Sequence, residues 1–271
     1  MKDLCTLFFT VLALSLGAQE SLSPDQKPPP PPESFSLTPM PDDLWAQMRY
    51  DGRPVPNIQD LAVLGWSEEG KIAILTGNHS PFRPDFSATF QIIDLVTDTR
   101  RALLGPQTMP DVIEEYGIMG DPLPGNPENP MSLEYFYALN QNKIYRLMIQ
   151  EGIRPQSGFF GQGALLQEDR DIRFALKVLN KTPRSDLGEP VVYQEFAYQI
   201  WAEDRARGSK LLGQRSYDTA YLLGAEVLGH ILSPFENRVA VIVAETSWGL
   251  ELEYTTDFDL YGSHLDLGFE D

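Results

Sequence analysis

The sequence is poor in cysteine, in histidine and in long hydrophobic runs. Cys5 is the only cysteine among 271 residues, and the chain has three histidines. Because Cys5 lies in an N-terminal segment that we expect to be removed, the mature chain would form no disulfide, no thiolate metal site and no thiol nucleophile. Its core must then be held together by ordinary hydrophobic packing, which a chain of this length allows.

Basic residues are also scarce. The chain has 21 Lys and Arg residues against 39 Asp and Glu, which gives a formal net charge of −18. Acidic pairs such as Asp42-Asp43 and Glu68-Glu69 are scattered along it, and no basic run offsets them. A phosphate backbone or an anionic bilayer would be repelled by such a chain. The composition therefore argues against nucleic acid as a partner.

The N-terminus has the composition of an export signal. An apolar run from Leu4 to Leu16 follows Lys2 and precedes the small residues Gly17 and Ala18. The run is shorter than the roughly 20 residues that a membrane span needs, and its length and flanks are typical of a secretory signal peptide. We therefore predict a signal peptide at 1–18 and a secreted or periplasmic protein with no membrane span in the mature chain. An uncleaved N-terminal anchor is the alternative.

A proline-rich segment follows the apolar run. Residues 28–32 are five consecutive prolines within a polar stretch. Proline fixes φ and lacks the amide proton, so residues 19–41 are predicted to form an extended, disordered spacer. A ligand for aromatic grooves is the less favoured interpretation of the same run. The remaining chain, residues 42–271, is predicted to be a single β-rich domain.

Most of this domain shows the pattern of short antiparallel strands. Between Val63 and Gly105, four strands rich in β-branched and aromatic residues are joined by turn sequences at Ser67–Gly70 and Thr97–Thr99. Apolar residues on both faces of these strands indicate a sheet that is covered on both sides. Further strand segments are predicted at Ile172–Leu179, Val191–Ala202, Lys210–Leu212, Ala220–Leu232, Arg238–Ala244 and Leu250–Leu260.

Two later parts of the domain repeat parts of the first four strands. Tyr198–Gly213 matches Phe90–Gly105 without a gap, and the two 16-residue stretches share five identities. The residues from Val227 onward match the start of the first strand, so that His230 takes the place of Trp66. A repeated meander is typical of β-propellers. The match favours a packing role for His230 over a catalytic one.

Residues 132–152 allow two interpretations. In a helix, Ser132 is the N-cap, Gly152 is the C-terminal stop, and one face carries Leu133, Phe136, Tyr137, Ile144, Leu147 and Met148. In a hairpin, two apolar strands flank the turn-like Asn140-Gln141-Asn142. We adopt the helix because its cap, face and stop agree with one another.

The predicted fold class is therefore mainly β. We expect antiparallel meanders, in part propeller-like, with one amphipathic helix around 132–152. An α+β fold built on a β-sandwich or barrel is the alternative.

Two stretches carry a resemblance to known proteins. In Trp66–Leu75 and Ile92–Thr97, a strand ending in Trp-Ser, a polar pair, Gly-Lys and an Ile-Ala strand precede an Ile-x-Asp-Leu-x-Thr strand. These residues resemble blades of β-propellers of the type found in the periplasmic translocation protein B and in tryptophan-aspartate repeat proteins. The helix ending in Gly152-Ile153 and the strand Val239–Val243 also resemble an uncharacterised family of predicted secreted bacterial proteins. The resemblance implies a fold and no catalytic residue, and residues 245–271 lack the Gly-Phe-Glu-Gly-Pro-Asp turn of that family.

No segment carries a specific catalytic or metal-binding motif. His79, His230 and His264 are far apart in the sequence, and it contains neither a Gly-x-Ser-x-Gly elbow nor a His-Glu-x-x-His helix. Asp257–Asp266 begins like a calcium loop, but two of the expected ligands are missing, so an acidic, solvated tail after the last strand is preferred. We therefore predict no catalytic residue, no metal site and no cofactor, and the sequence leaves the binding residues unidentified.

These features favour an exported, non-enzymatic β-rich binding or interaction module of the cell envelope, with a protein or a glycan as partner. The alternative is a secreted hydrolase acting on carbohydrate, in which two carboxylates face each other in a cleft at roughly 5 to 10 Å. A structural spacer protein held at the membrane by an uncleaved N-terminus is the third possibility.

Overall fold

The structure, a computed structural model, describes residues 37–39, 44, 48–50, 53–54, 57–79, 86–108, 133–156, 158–167, 170–184, 191–218, 221–248 and 254–270. Strands account for 65% of it, in antiparallel sheets accompanied by one helix, so the mainly β prediction is confirmed. The predicted signal peptide, and the predicted spacer as far as residue 36, lie outside the described residues.

The described residues form sixteen strands and a long helix. The strands are β1 (Thr38–Pro39), β2 (Arg49–Tyr50), β3 (Arg53–Pro54), β4 (Asn57–Ile58), β5 (Asp60–Trp66), β6 (Lys71–His79), β7 (Phe86–Asp94), β8 (Thr99–Thr108), β9 (Phe159–Gly161), β10 (Leu165–Gln167), β11 (Arg170–Pro183), β12 (Tyr193–Asp204), β13 (Gly208–Tyr217), β14 (Leu222–Leu232), β15 (Arg238–Trp248) and β16 (Tyr254–His264). The helix α1 spans Leu133–Gln150, between β8 and β9.

The strands form two main sheets. The first has the order β1-β5-β6-β7-β8 and is antiparallel throughout. The second has the order β10-β11-β12-β14-β15-β16-β4, with β13 paired to β12 and β9 paired to β14. Only the short β16–β4 pair in it is parallel among the described strands. Strands β2 and β3 form a separate ribbon, and the described strands do not close into a barrel or a propeller.

Three clusters of buried side chains define the layers. One face of the first sheet, which includes Phe90, packs against Phe136 and other residues of α1. Its opposite face, which includes Trp66, packs against Ile242 and its neighbours on β14–β16. The far face of β14–β16 packs against β10–β13 around Tyr198. The second sheet therefore folds back on itself, and the order of layers is α1, the first sheet, β14–β16 and β10–β13.

The two hairpins matched by sequence turn in the same way. In the β7–β8 turn, Asp94 Oδ1 accepts hydrogen bonds from the backbone N–H groups two and three residues later, at 2.9 and 3.1 Å. In the β12–β13 turn, Asp204 Oδ1 accepts the equivalent pair at 2.8 and 3.2 Å. An aspartate that bonds the backbone just ahead of it is a common way to start a tight turn. The same local chemistry therefore closes both hairpins.

The second sequence match coincides with a shared β-bulge. The β5–β6 register skips Leu64, and the β14–β15 register skips Leu228. The glycine after each bulge, Gly65 or Gly229, is crossed by the segment between α1 and β10. A Cβ on these glycines would lie 2.4 Å and 2.7 Å from backbone carbonyl oxygens of that segment. Glycine is therefore required at both positions because another backbone passes over them.

The helix predicted around 132–152 is confirmed, and its end has the predicted glycine. Ile153 N–H donates to Met148 O at 2.8 Å and Gly152 N–H donates to Ile149 O at 3.0 Å, the two bonds of a Schellman motif. Gly152 has φ of +71°, which a residue with a Cβ adopts only at a cost in energy. Ser132, the predicted N-cap, lies outside the described residues.

Candidate functional site

A polar cleft opens between the two sheets beside the β7–β8 turn. Its volume is about 350 Å³, which lies within the range of small-molecule sites. Strands β7 and β8 with their turn form one wall, and β13 and β16 form the other. The lining residues are Ile93, Asp98, Arg100, Gly213, Gln214, Arg215, Asp259, Leu260 and Tyr261.

Asp259 joins the two walls of the cleft through two arginines. Its side chain is only 8% exposed, and Arg100 Nη2 from β8 donates to Oδ1 at 2.5 Å. Arg215 Nη2 from β13 forms an ion pair with Oδ2. A buried carboxylate is costly unless it is paired, and here each oxygen has its own guanidinium. The three groups together carry one net positive charge, and both arginines remain partly exposed, at 35% and 43%.

Behind Arg215, a hydrogen-bonded network crosses the interior of the folded sheet. Arg215 Nε donates to Tyr261 Oη at 3.3 Å, and Tyr261 Oη lies 3.2 Å from Tyr198 Oη. Tyr198 Oη donates to Glu245 at 2.5 Å, and Tyr217 Oη donates to the same carboxylate at 2.7 and 2.8 Å. Burial raises the pKa of both Tyr198 and Tyr217, so both hydroxyls stay protonated and act as donors. Connected networks of this kind restrict side-chain motion.

Successive side chains of β16 point to opposite faces of the sheet, and this alternation determines where Asp259 and Tyr261 lie in the site. Phe258 and Leu260 join the cluster between β14–β16 and the first sheet, while Tyr261 joins the cluster on the opposite side. Asp259 lies two residues before Tyr261, on the same face of the strand.

The interpretation of Asp257–Asp266 as an acidic, solvated tail is therefore wrong. Most of this segment belongs to β16, which pairs with β15 along its whole length, and Asp259 is 6% exposed. Asp259 is accommodated in the strand because arginines from β8 and β13 pair with its carboxylate.

Gly213 lets the β13 wall approach Tyr261. A Cβ at this position would lie 2.4 Å from Cδ1 of the Tyr261 ring. The β12–β13 register has an irregularity just beside it, between Ile200 and Trp201. After this bulge, Arg215 and Tyr217 point towards the interior network, since the extra residue changes the face that each following residue occupies. The glycine and the bulge together therefore bring Arg215 to Asp259.

Asp98 is a second carboxylate of the cleft. It lies in the β7–β8 turn with φ of +52°, and its Oδ1 is 3.5 Å from the backbone nitrogen of Gly262. Burial raises the pKa of Asp98. The sequence predicts a turn-forming role for Asp98, and the structure places it both in the turn and in the wall of the cleft.

The three histidines lie at different places in the fold. His230 is 2% exposed, its ring centroid is 5.2 Å from that of Phe174, and burial lowers its pKa. This is the packed environment that the match with Trp66 predicts. His264 Nδ1 accepts a hydrogen bond from the Asp266 N–H at 3.2 Å. His79 is the last residue of β6, and its side chain lies outside the described part of the structure.

Among the described residues, no group of three or more His, Cys, Asp or Glu side chains is arranged to hold a metal ion. Within the same residues, no helix combines the length and apolarity that crossing a membrane requires. Comparison of the chain with protein-family models, curated proteins and solved structures finds no match. The resemblance to propeller blades and to the predicted secreted family thus remains a prediction.

Sequence patterns did not identify the residues that make this site. The site draws on three different strands, with Arg100 on β8, Arg215 on β13 and Glu245 on β15. More than a hundred residues separate the first of these from the last, and none belongs to a sequence motif. The one local signal was the concentration of acidic residues after Thr256, which includes Asp259. The partners of Asp259 are determined by the stacking of the sheets, which a local sequence pattern cannot predict.

Proposed function

We propose that this protein is an exported, non-enzymatic binding module of the cell envelope, and that the cleft binds a carboxylate group of an acidic envelope glycan. The observation that carries this proposal is the pair of partly exposed guanidiniums, Arg100 and Arg215, held on opposite walls by one buried carboxylate. Export rests on the N-terminal apolar run and remains part of the proposal.

The hydrogen-bonding capacity of the two arginines supports an anionic ligand. A guanidinium has five N–H donors in a planar fork. Asp259 and Tyr261 take two donors of Arg215, and Asp259 takes one of Arg100. Further donors of both residues face the cleft, where partial burial strengthens a charge-assisted hydrogen bond to a carboxylate. Asp98 also lines the cleft, so we attribute selectivity for a carboxylate to the guanidinium donors of Arg100 and Arg215 and not to a net positive charge of the cleft.

The rigidity of the arginines supports binding as well. Both guanidiniums are anchored by Asp259, and Arg215 is also tied to the tyrosine network through Tyr261. Side chains that are already ordered lose little conformational entropy when a ligand binds.

The state of Asp259 favours binding over hydrolysis. A nucleophile or general base must direct an oxygen at the substrate, whereas each oxygen of Asp259 is held by a guanidinium. One observation favours the hydrolase alternative: Asp98 lies in the same cleft, and its raised pKa suits a proton donor. Hydrolysis of a neutral or acidic oligosaccharide that is lost in Asp98→Asn would establish the alternative in place of the binding proposal.

The proposal is tested by calorimetry of the mature protein with oligosaccharides of glucuronic acid and with the carboxyl-reduced, neutral oligosaccharides. We expect the acidic series to bind and the neutral series not to bind. Arg100→Gln and Arg215→Gln should each weaken binding about tenfold, the equivalent of one charge-assisted hydrogen bond. Arg146→Gln, on the exposed side of α1, is the matched control and should bind like the parent. Equal binding of both series, or equal loss in the control, would refute the proposal.

A further inference from the structure

Strand β11 has a long edge that is not paired with any described strand. It pairs with β12 along its whole length, from Ile172 to Pro183, but on its other side β10 covers only Arg170–Ile172. From Arg173 onward, its second edge has no strand partner among the described residues. An edge of this length presents a row of backbone donors and acceptors to an incoming strand.

The charge of this edge is opposite to that of the whole protein. Between Ile172 and Arg184 the chain has four basic residues and no acidic one, namely Arg173, Lys177, Lys181 and Arg184. Lys177 lies 4.8 Å above the Trp201 ring and Lys181 lies 5.4 Å above the Tyr193 ring. These contacts keep the cations beside the strand, since an ammonium group is attracted to the face of an aromatic ring. The edge is therefore basic along its length in a chain of net charge −18.

Exposed apolar side chains lie between the charges. Val178 is 47% exposed and Leu179 is 58% exposed, and Leu179 is the residue that the β11–β12 register skips. The charges, the bulge at Leu179 and Pro183 are features that also protect an edge against unspecific pairing, and this edge adds accessible apolar surface to them. That combination is complementary to an extended segment in which apolar and acidic residues alternate.

A second copy of the chain is not the partner that this charge pattern fits. Antiparallel pairing of β11 with another β11 would place a strand with four basic and no acidic residues opposite itself. Like charges directly opposite each other destabilise a strand pair. Lys177 has one acidic neighbour, Glu203 at 2.7 Å, but that carboxylate lies on β12 within the same sheet.

We propose that the outer edge of β11, from Arg173 to Pro183, is a strand-addition site for an acidic, extended polypeptide segment of a partner protein. The partner's backbone continues the second sheet beyond β11. Its acidic side chains meet Arg173 and Lys177 on one face of the sheet, and its apolar side chains cover Val178 on the other face, next to Leu179 in the bulge. This surface is separate from the cleft at Asp259, so either site can be disabled without the other.

Fluorescence anisotropy of the full-length mature protein with a labelled peptide tests the proposal. The probe is a peptide of about ten residues with alternating valine and glutamate, which matches the length of the edge at about 3.3 Å per residue. We expect saturable binding that weakens as salt is raised, because exposed charges are screened. The same peptide methylated at every backbone nitrogen cannot donate hydrogen bonds, and a valine–lysine peptide has the wrong charge. Both should bind at least about tenfold more weakly.

The protein variants locate the site. Arg173→Glu combined with Lys177→Glu, two exposed residues on one face of β11, should weaken binding about tenfold or more. The matched control is Lys143→Glu combined with Arg146→Glu on the exposed face of α1, which changes the net charge equally and should leave binding unchanged. Circular dichroism of each variant checks that the fold is retained. The proposal is overturned if the methylated peptide binds like the parent peptide, if the control loses as much affinity as the β11 variant, or if sedimentation shows β11-dependent dimers in place of peptide binding.

Discussion

The replacement Gly262→Ala tests how closely β16 and the first sheet approach each other. A Cβ on Gly262 would lie 2.1 Å from Leu95 O and 2.5 Å from Leu95 Cβ, where ordinary contact begins at 3.4 Å. Leu95 itself is fixed, since its N–H donates to Gly70 O at 3.0 Å and its side chain is 2% exposed. The neighbour is a backbone group in a tight turn and cannot rotate away, so β16 and the β7–β8 turn would have to separate by about 1.3 Å.

The expected cost follows from this geometry. Adding a methyl group to a well-packed interior costs about 1–3 kcal/mol when side chains can yield. Because a backbone carbonyl must move here, we expect the upper end, about 3 kcal/mol in the free energy of unfolding, or about 6–12 °C in Tm for a chain of this size. Moving the turn would also shift Asp98 and Arg100, so we expect binding in the cleft to weaken as well.

Equilibrium unfolding in urea, followed by tryptophan fluorescence, measures the effect. Gly224→Ala is the matched control, because Gly224 also lies in a strand of the second sheet and a Cβ there would meet nothing within 4 Å. The control should change the free energy of unfolding by no more than about 0.5–1 kcal/mol. If Gly262→Ala is as stable as Gly224→Ala, the close packing of β16 on the β7–β8 turn is wrong.

Three further outcomes are expected. Burial lowers the pKa of His230, so the unfolded chain takes up a proton on this residue more readily than the folded protein does. The folded state therefore keeps its full stability above about pH 6.5 and loses part of it as the pH falls below that value. In urea titrations, the free energy of unfolding of His230→Leu should depend less on pH between pH 7 and 5 than that of the parent protein. An unchanged dependence on pH would contradict this prediction. Gly152→Ala should lower the free energy of unfolding by about 1 kcal/mol because φ is +71° there, and a neutral result would argue against the Schellman end of α1. Tyr198→Phe should cost about 1–2 kcal/mol, since the hydroxyl bonds Glu245 and Tyr261 inside the protein. A fully stable Tyr198→Phe would show that this network is not formed.

The sequence predicted elements best where the signal is local. The segment predicted as a strand at Arg238–Ala244 is β15, which begins at Arg238 and continues to Trp248. The predicted strand that ends at Leu232 is β14, which also ends there. Two signals, the alternation of apolar and polar side chains and the presence of turn residues, depend only on residues that are close together in the sequence. They therefore identify strands without knowledge of the fold.

Prediction was weaker where pairing over long distances sets the outcome. β11 was expected to end at Leu179, but it runs to Pro183 because β12 continues to pair with it beyond a bulge. The strand segments predicted from the sequence do not include Phe159–Gly161, yet these residues form strand β9, paired with His230–Leu232 of β14. In both places the partner strand supplies hydrogen bonds that the local sequence does not indicate.

The sequence by itself determined the class of the fold and the chemistry of the turns, because each depends on residues that are neighbours in the chain. At 132–152 it favoured a helix over a hairpin. It also determined the acidic character of the protein. Only the tertiary structure decided that Arg100, Arg215 and Asp259 meet in one cleft and that, among the described strands, none pairs with the outer edge of β11 from Arg173 onward. Those arrangements depend on how the sheets stack and which strands pair, and both are set by contacts between residues far apart in the chain.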